Sequence, residues 1–149
     1  MRKNTLSEKN LSLDVANYLK LKKLIYRFDL AADLVLTQGQ KAKHKRLQMA
    51  YRGYPDLFIC EPVGVYNGLY IELKKDKSEV FLKDGITYKK ATKKVKNAKG
   101  AIVEVYDHIQ EQLKMQQRLR DKGYCVVFGF GLSDTINKIE NYLKGIEIS

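Results

Sequence analysis

The chain has no tryptophan and only two prolines, two cysteines and two histidines. Two thiols, Cys60 and Cys125, are too few to form the disulfide framework of a small secreted fold. Each lies in an apolar run, so both are read as reduced, buried thiols, which fits a cytoplasmic location. His44 and His108 form no spaced cluster with the cysteines, which argues against a structural zinc site. No run of 18 apolar residues occurs, so no membrane span is expected. Met1-Arg2-Lys3-Asn4 opens onto a polar amphipathic segment, not the apolar stretch of a signal peptide. Acidic residues are also scarce, 17 against 28 Lys plus Arg, for a net charge of +11. That imbalance favours a polyanionic partner, with nucleic acid ahead of an anionic membrane.

What is present is an ordinary globular mixture. The 149 residues are 44% hydrophobic and 30% charged, enough to bury a core. No internal repeat or Pro/Gly/Ser-rich linker divides them, so one domain over 1–149 is expected. Apolar residues at helical spacing predict a first helix from about Thr5 to Lys22, and Thr5-Leu6-Ser7-Glu8 fits a capping box. Leu24–Phe28 reads as a short strand. Gln38 to Ala50 reads as a short basic helix or an ordered basic loop. Pro55 then enforces a break, and Asp56–Cys60 and Leu69–Lys74 read as strands separated by turn signals at Pro62, Gly64 and Asn67-Gly68.

Glu79–Leu82 and Ile86–Tyr88 around Lys83-Asp84-Gly85 suggest a hairpin. A lysine-rich stretch with few apolar residues follows, from Lys89 to Lys99. Then come a strand at Ala101–Tyr106, a helix at Asp107–Lys122 ended by Gly123, a buried strand at Tyr124–Phe130, and a last helix capped by Ser133 and running to Lys144. This order predicts an α/β domain, a mixed sheet covered by helices. Gly129-Phe130-Gly131 lacks the third glycine of a dinucleotide fingerprint and reads as a strand-to-helix turn.

The chemistry concentrates in two of these strands. Residues two apart on a strand face the same side, so Glu72 and Lys74 point together while Ile71 and Leu73 point into apolar packing. If the Asp56 strand pairs with theirs, Asp56 reaches the same rim. Mg²⁺ is a hard cation that prefers carboxylate oxygen. Asp56 and Glu72 could hold it, with the Leu73 backbone carbonyl as a third oxygen. The metal would polarise a phosphate and acidify its bound water. Lys74 would add positive charge where negative charge develops. Glu8, otherwise the acid of the capping box, is the candidate for a further metal contact.

These residues resemble a known family. Gly53-Tyr54-Pro55-Asp56-Leu57 followed by Gly68-Leu69-Tyr70-Ile71-Glu72-Leu73-Lys74 is similar to the G-x-P-D-L … E-h-K signature of VRR-NUC nucleases, within the PD-(D/E)xK nuclease superfamily. Gln112, Leu119-Arg120-Asp121-Lys122-Gly123-Tyr124 and Val126-Val127 resemble that family's Q-x₁₀-G helix and its following strand. The first helix, with Glu8, resembles its leading helix. The resemblance implies a restriction-endonuclease-like central mixed β-sheet flanked by helices, dependence on Mg²⁺ or Mn²⁺, and DNA cleavage. It gives Asp56 and Glu72 the metal, Lys74 the catalytic lysine's place, Gln112 a supporting role from its helix, and Glu8 an accessory one. Stand-alone members, often from phages, are small homodimers linked to branched DNA such as four-way junctions. A homodimer and a host cytoplasm are the corresponding expectations. This chain departs from minimal members by a basic insertion at about 75–106, between Lys74 and Gln112.

That insertion is rich in lysine with Phe81 and Tyr88 interleaved. Lys75, Lys89, Lys90, Lys93 and Lys94 are expected to contact DNA phosphates, which supply affinity without reading sequence. Lys41, Lys43, Lys45, Arg46 and Arg52 form a second basic patch leading into the motif. His108, near Gln112, reads as a structural or solvated histidine rather than a proton carrier. The expected function is a metal-dependent endodeoxyribonuclease selective for DNA structure. Two alternatives stay open: a non-catalytic DNA-binding protein on a nuclease-like scaffold, and a sequence-specific restriction endonuclease.

Overall fold

A computed structural model describes residues 5–29, 35–48 and 52–149, with side chains from residue 10 onward. The elements run α1 (Thr5–Leu21), β1 (Tyr26–Phe28), α2 (Gln38–Leu47), β2 (Leu57–Ile59), β3 (Leu69–Lys74), a 3₁₀ turn (Lys77–Glu79), β4 (Thr92–Lys96), β5 (Ile102–Asp107), α3 (His108–Asp121), β6 (Cys125–Phe130) and α4 (Gly131–Leu143). Four strands form the central sheet in the order β1-β2-β3-β6. β1–β2 and β2–β3 are antiparallel, and β3–β6 is parallel. The sheet is therefore mixed and flanked by helices, as the alternation of elements predicts.

Period-two side-chain alternation divides this sheet into two faces. Leu57, Ile59, Leu69, Ile71, Cys125 and Val127 join Leu11, Val15 and Leu19 of α1 and Ile139 and Tyr142 of α4 in the main core. The opposite face carries Phe58, Tyr70, Glu72, Val126 and Phe128. There Phe128 packs with Ile109 of α3 and Val80 in a second, smaller cluster. Residues 69–72 are all buried, so β3 is covered on both sides. Truncating one of the central aliphatics, such as Ile71→Ala, is expected to cost about 2–5 kcal/mol.

Several expectations need correction. Cys125 is buried but Cys60 is exposed, because β2 ends at Ile59 and the chain leaves the sheet there. Ser133 is not a cap. α4 begins at Gly131, and Asp134 accepts the Phe130 backbone N–H at 2.9 Å instead. The expected hairpin at 79–88 reduces to a single antiparallel bridge, Phe81 to Tyr88, with Asp84 accepting backbone N–H groups from Ile86 and Thr87 in the turn. Asn67-Gly68 does not turn the β2–β3 connection. The tight turn lies between the bridged pair Val63 and Tyr66, and Asn67 donates its N–H to Gly123. The lysine-rich stretch contains β4, which pairs with β5 in an exposed two-stranded ribbon. The basic segment at 38–48 is a helix, capped by a Thr37/Gln40 capping box. The capping box expected at Thr5–Glu8 lies outside the described side chains.

The strand-to-helix turn at 129–131 is as expected. A Cβ at Gly129 would lie 2.4 Å from the Thr135 hydroxyl oxygen, so only glycine lets α4 approach β6 this closely. Among the described residues no helix is long and apolar enough to cross a membrane.

Candidate active site

The antiparallel register of β2 and β3 sets the site. Leu57 opposes Ile71, and extending the pairing by one residue puts Asp56 opposite Glu72 on the α3 side of the sheet. The Leu73 backbone N–H donates to Asp56 Oδ2 at 2.8 Å, fixing the aspartate against β3. The Asp29 N–H donates to the Asp56 carbonyl at 2.8 Å, tying the end of β1 to the same point. Glu72 is 5% exposed, and Lys74, two residues on, places its ammonium 3.5 Å from Glu72 Oε1.

From the facing helix, Gln112 is also buried and donates from Nε2 to the same Oε1 at 2.7 Å. Its amide nitrogen lies 3.2 Å from His108 Nε2. Burial, reinforced by the ammonium groups of Lys74 and Lys93, lowers the His108 pKa. The neutral ring can accept the second amide hydrogen. Gly53 lets the Tyr54-Pro55-Asp56 segment reach this helix. Its φ is +75°, and a Cβ there would lie 2.5 Å from the Glu111 carbonyl oxygen and 2.6 Å from the Gln112 nitrogen.

These groups open into a cleft of about 690 Å³, also lined by Ser12, Asp29, Tyr54, Glu79 and Lys93. Its charge is unbalanced. Burial, followed by the neighbouring Asp56 carboxylate, pushes the Glu72 carboxyl well above the usual carboxylate range, against the opposing pull of Lys74. Ionised together, Asp56 and Glu72 would outnumber the adjacent Lys74 ammonium in a poorly hydrated place, which favours either a proton on Glu72 or a bound cation. Glu72 Oε2 is buried and has no hydrogen-bond partner among the described residues. An orphaned carboxylate oxygen beside a second carboxylate is a donor set that suits a hard divalent ion. Among the described residues no group of three or more His, Cys, Asp or Glu side chains converges. Among the described residues, further oxygens would come from Leu73, which lines the cleft, with water or a phosphate completing the set.

Asp56, Glu72, Leu73, Lys74 and Gln112 are thus brought together as the sequence motif anticipates. His108, read from the sequence as structural or solvated, lies against Gln112 and lines the same cleft. Tyr54 and Asp29 were not anticipated. The backbone of Glu8 lies in α1, and its side chain falls outside the described residues.

Of the basic residues, Lys93 lines the cleft. Lys75, Lys90 and Lys94 are exposed and Lys89 is half-buried. Lys41, Lys43, Lys45 and Arg46 are exposed on α2. Arg52 is already engaged. Its two terminal nitrogens pair with the Glu104 carboxylate, and its guanidinium sits 4.1 Å from the Tyr106 ring centroid. A phosphate would have to displace Glu104, so Arg52 is better described as the tether between the β4–β5 ribbon and the motif loop.

No protein-family model matches this chain, and no curated protein matches it. A solved structure described as a VRR_NUC domain protein is 29% identical, with a TM-score of 0.46 over 69% of this chain. The match covers 62% of that chain.

Proposed function

We propose that this chain is a metal-dependent DNA endonuclease of the VRR-NUC type. The observation that carries the reading is the opposition of Asp56 and Glu72 at the floor of a cleft, with Lys74 beside them and Glu72 Oε2 lacking a partner. Asp56, Glu72 and the Leu73 carbonyl would hold Mg²⁺ or Mn²⁺, with Glu8 a further candidate. Bound there, the ion supplies charge neutralisation at a phosphate and an acidified water.

The protein's own groups do the rest. Lys74 presents an ammonium to the phosphate oxygen on which charge develops. Gln112 holds Glu72 Oε1 and so orients the carboxylate. Lys93, with Lys75, Lys89, Lys90 and Lys94 of the insertion and Lys41, Lys43, Lys45 and Arg46 of α2, provides sequence-independent contacts to the DNA backbone. The favoured substrate is structured DNA, such as a flap or four-way junction. A homodimer would present two such sites to a junction, and a phage chain of this kind would act in the host cytoplasm.

The test is cleavage of linear, flapped and four-way DNA with Mg²⁺, with Mn²⁺ and with chelator. Metal-dependent cutting of the branched substrates, lost in Asp56→Asn while DNA binding stays near normal, is the expected result. Binding without cutting under every metal condition would favour a non-catalytic scaffold. Discrete palindromic cuts in plasmid would favour a restriction enzyme.

A further inference from the structure

A second recess of about 580 Å³ adjoins the carboxylate cleft, and Asp29 and Tyr54 line both. Its walls are aromatic, from Phe28, Tyr54 and Phe58, and its rim is polar, from Arg27, His44 and Gln48. We propose that this recess receives one unpaired nucleobase of the nucleotide next to the phosphate held at Asp56 and Glu72, with Tyr54 as its stacking platform. The proposal rests on the reading that DNA occupies the carboxylate cleft.

Tyr54 carries the argument. The residue is 45% exposed. It is nevertheless fixed in place. The Tyr54 and Tyr70 hydroxyl oxygens lie 2.9 Å apart, and the two rings meet edge to face at 87° with centroids 5.6 Å apart. Tyr70 is itself buried and packs on Phe58 at 4.6 Å. An aromatic face held rigid yet open loses little conformational freedom when a base stacks on it.

The polar rim has the matching chemistry. His44 and Gln48 lie one turn apart at the end of α2 and, with Arg27, offer donors and acceptors to a base edge. The same helix carries Lys41, Lys45 and Arg46, all exposed, as contacts for the flanking backbone. Bases inside a duplex are stacked and paired and cannot enter such a recess without being extruded. The recess therefore favours DNA whose nucleotide beside the cut is already unpaired, as at a flap or a branch.

The experiment uses the full chain with Ca²⁺ replacing Mg²⁺, so that binding is read without cleavage. The probes are a flapped duplex with 2-aminopurine at the first unpaired nucleotide and the same duplex with an abasic site there. The expected result is quenching of 2-aminopurine on binding and about 5- to 100-fold weaker binding of the abasic duplex. Tyr54→Ala should bind both duplexes alike, at the abasic level, whereas Tyr54→Phe, which keeps the ring, should retain most of the difference. If Tyr54→Ala melts too low to assay, the paired change His44→Ala with Gln48→Ala tests the rim by the same comparison.

Equal binding of intact and abasic duplexes by the unmodified protein, or unchanged 2-aminopurine emission, overturns the proposal. The parent reading fails separately. A base-dependent binding difference without any cutting in Mg²⁺ or Mn²⁺ rejects the nuclease and keeps the recess. Cutting without a base effect does the reverse, and no DNA binding at all rejects both.

Discussion

Gln112 on α3 donates its amide N–H to Glu72 Oε1 on β3 across 2.7 Å, and this single contact makes the glutamate asymmetric. Oε1 also faces the Lys74 ammonium, while Oε2 faces no hydrogen-bond partner among the described residues. The side chain is held by one oxygen and offers the other. Replacing Gln112 with leucine keeps the volume roughly constant and removes that hold. Partners that orient a metal ligand are typically worth 10- to 100-fold in affinity or activity. Gln112→Leu should therefore raise the Mg²⁺ concentration for half-maximal cleavage by about that factor, measured by metal titration at fixed DNA. An unchanged metal dependence would remove Gln112 from the site.

The Asp56–Glu72 pair is a liability to the fold in the absence of a cation. Burial and the Asp56 carboxylate raise the Glu72 pKa, so the folded state binds a proton more tightly than the unfolded chain does. The favourable contribution of the protonated acid is complete below the unfolded value, about 4.3. It is lost as pH rises through the higher folded value. In chelator, the melting temperature attributable to this group should fall across that window. Glu72→Gln should flatten the fall while being inactive. Adding Mg²⁺ should restore stability to the unmodified protein and leave Glu72→Gln unaffected. Differential scanning fluorimetry with and without chelator reads each arm.

Gly53 and Gly64 make a matched comparison. Both have positive φ, +75° and +59°. A Cβ at Gly53 would collide with the backbone of Glu111 and Gln112, whereas at Gly64 nothing lies within 4 Å. Gly64→Ala should cost only the backbone strain, about 1 kcal/mol. Gly53→Ala should cost more, about 2–4 kcal/mol, and should also lower cleavage by displacing Asp56 from Glu72. Urea unfolding gives the first comparison and cleavage rate the second. Equal stability losses would mean that the loop does not rest on α3 as described.

How much of this was legible in the sequence follows from what each feature depends on. The pairing of Asp56 with Glu72 and Lys74 rests on period-two alternation and a short connection, both local, and both are plain in the chain. The core face of β3 was legible for the same reason, whereas β2 and β6 are apolar on both faces and read only as buried strands. β4 was not, because Thr92–Lys96 owes its strand to pairing with β5 and buries almost nothing. A lysine-rich exposed strand carries no hydrophobic period. Gln112 reaches Glu72 across 40 residues and through helix packing, so only the family resemblance pointed to it, while His108, noted for its nearness to Gln112, read as structural or solvated. Tyr54 looked like filler between glycine and proline until its hydroxyl met that of Tyr70. Arg52 read as a DNA contact of the second basic patch until Glu104, far along the chain, was brought beside it.

That last pairing separates the cations into two kinds. Lys93 and Lys94 stand on the exposed ribbon with no carboxylate recorded against them among the described residues, while Arg52 is committed to Glu104. A lysine that neutralises a phosphate contributes about 0.9 to the slope of log affinity against log salt. Lys93→Ala and Lys94→Ala should each lower the magnitude of that slope by roughly this amount. Arg52→Ala should leave the slope nearly unchanged. Because the Arg52–Glu104 pair is substantially exposed, its loss should cost the fold little global stability. It should, however, loosen the ribbon, seen as faster amide exchange across β4 and β5 with no change in the central sheet. Fluorescence anisotropy at several salt concentrations gives the slopes. A slope change in Arg52→Ala as large as that in Lys93→Ala would show that the guanidinium leaves Glu104 for a phosphate when DNA binds.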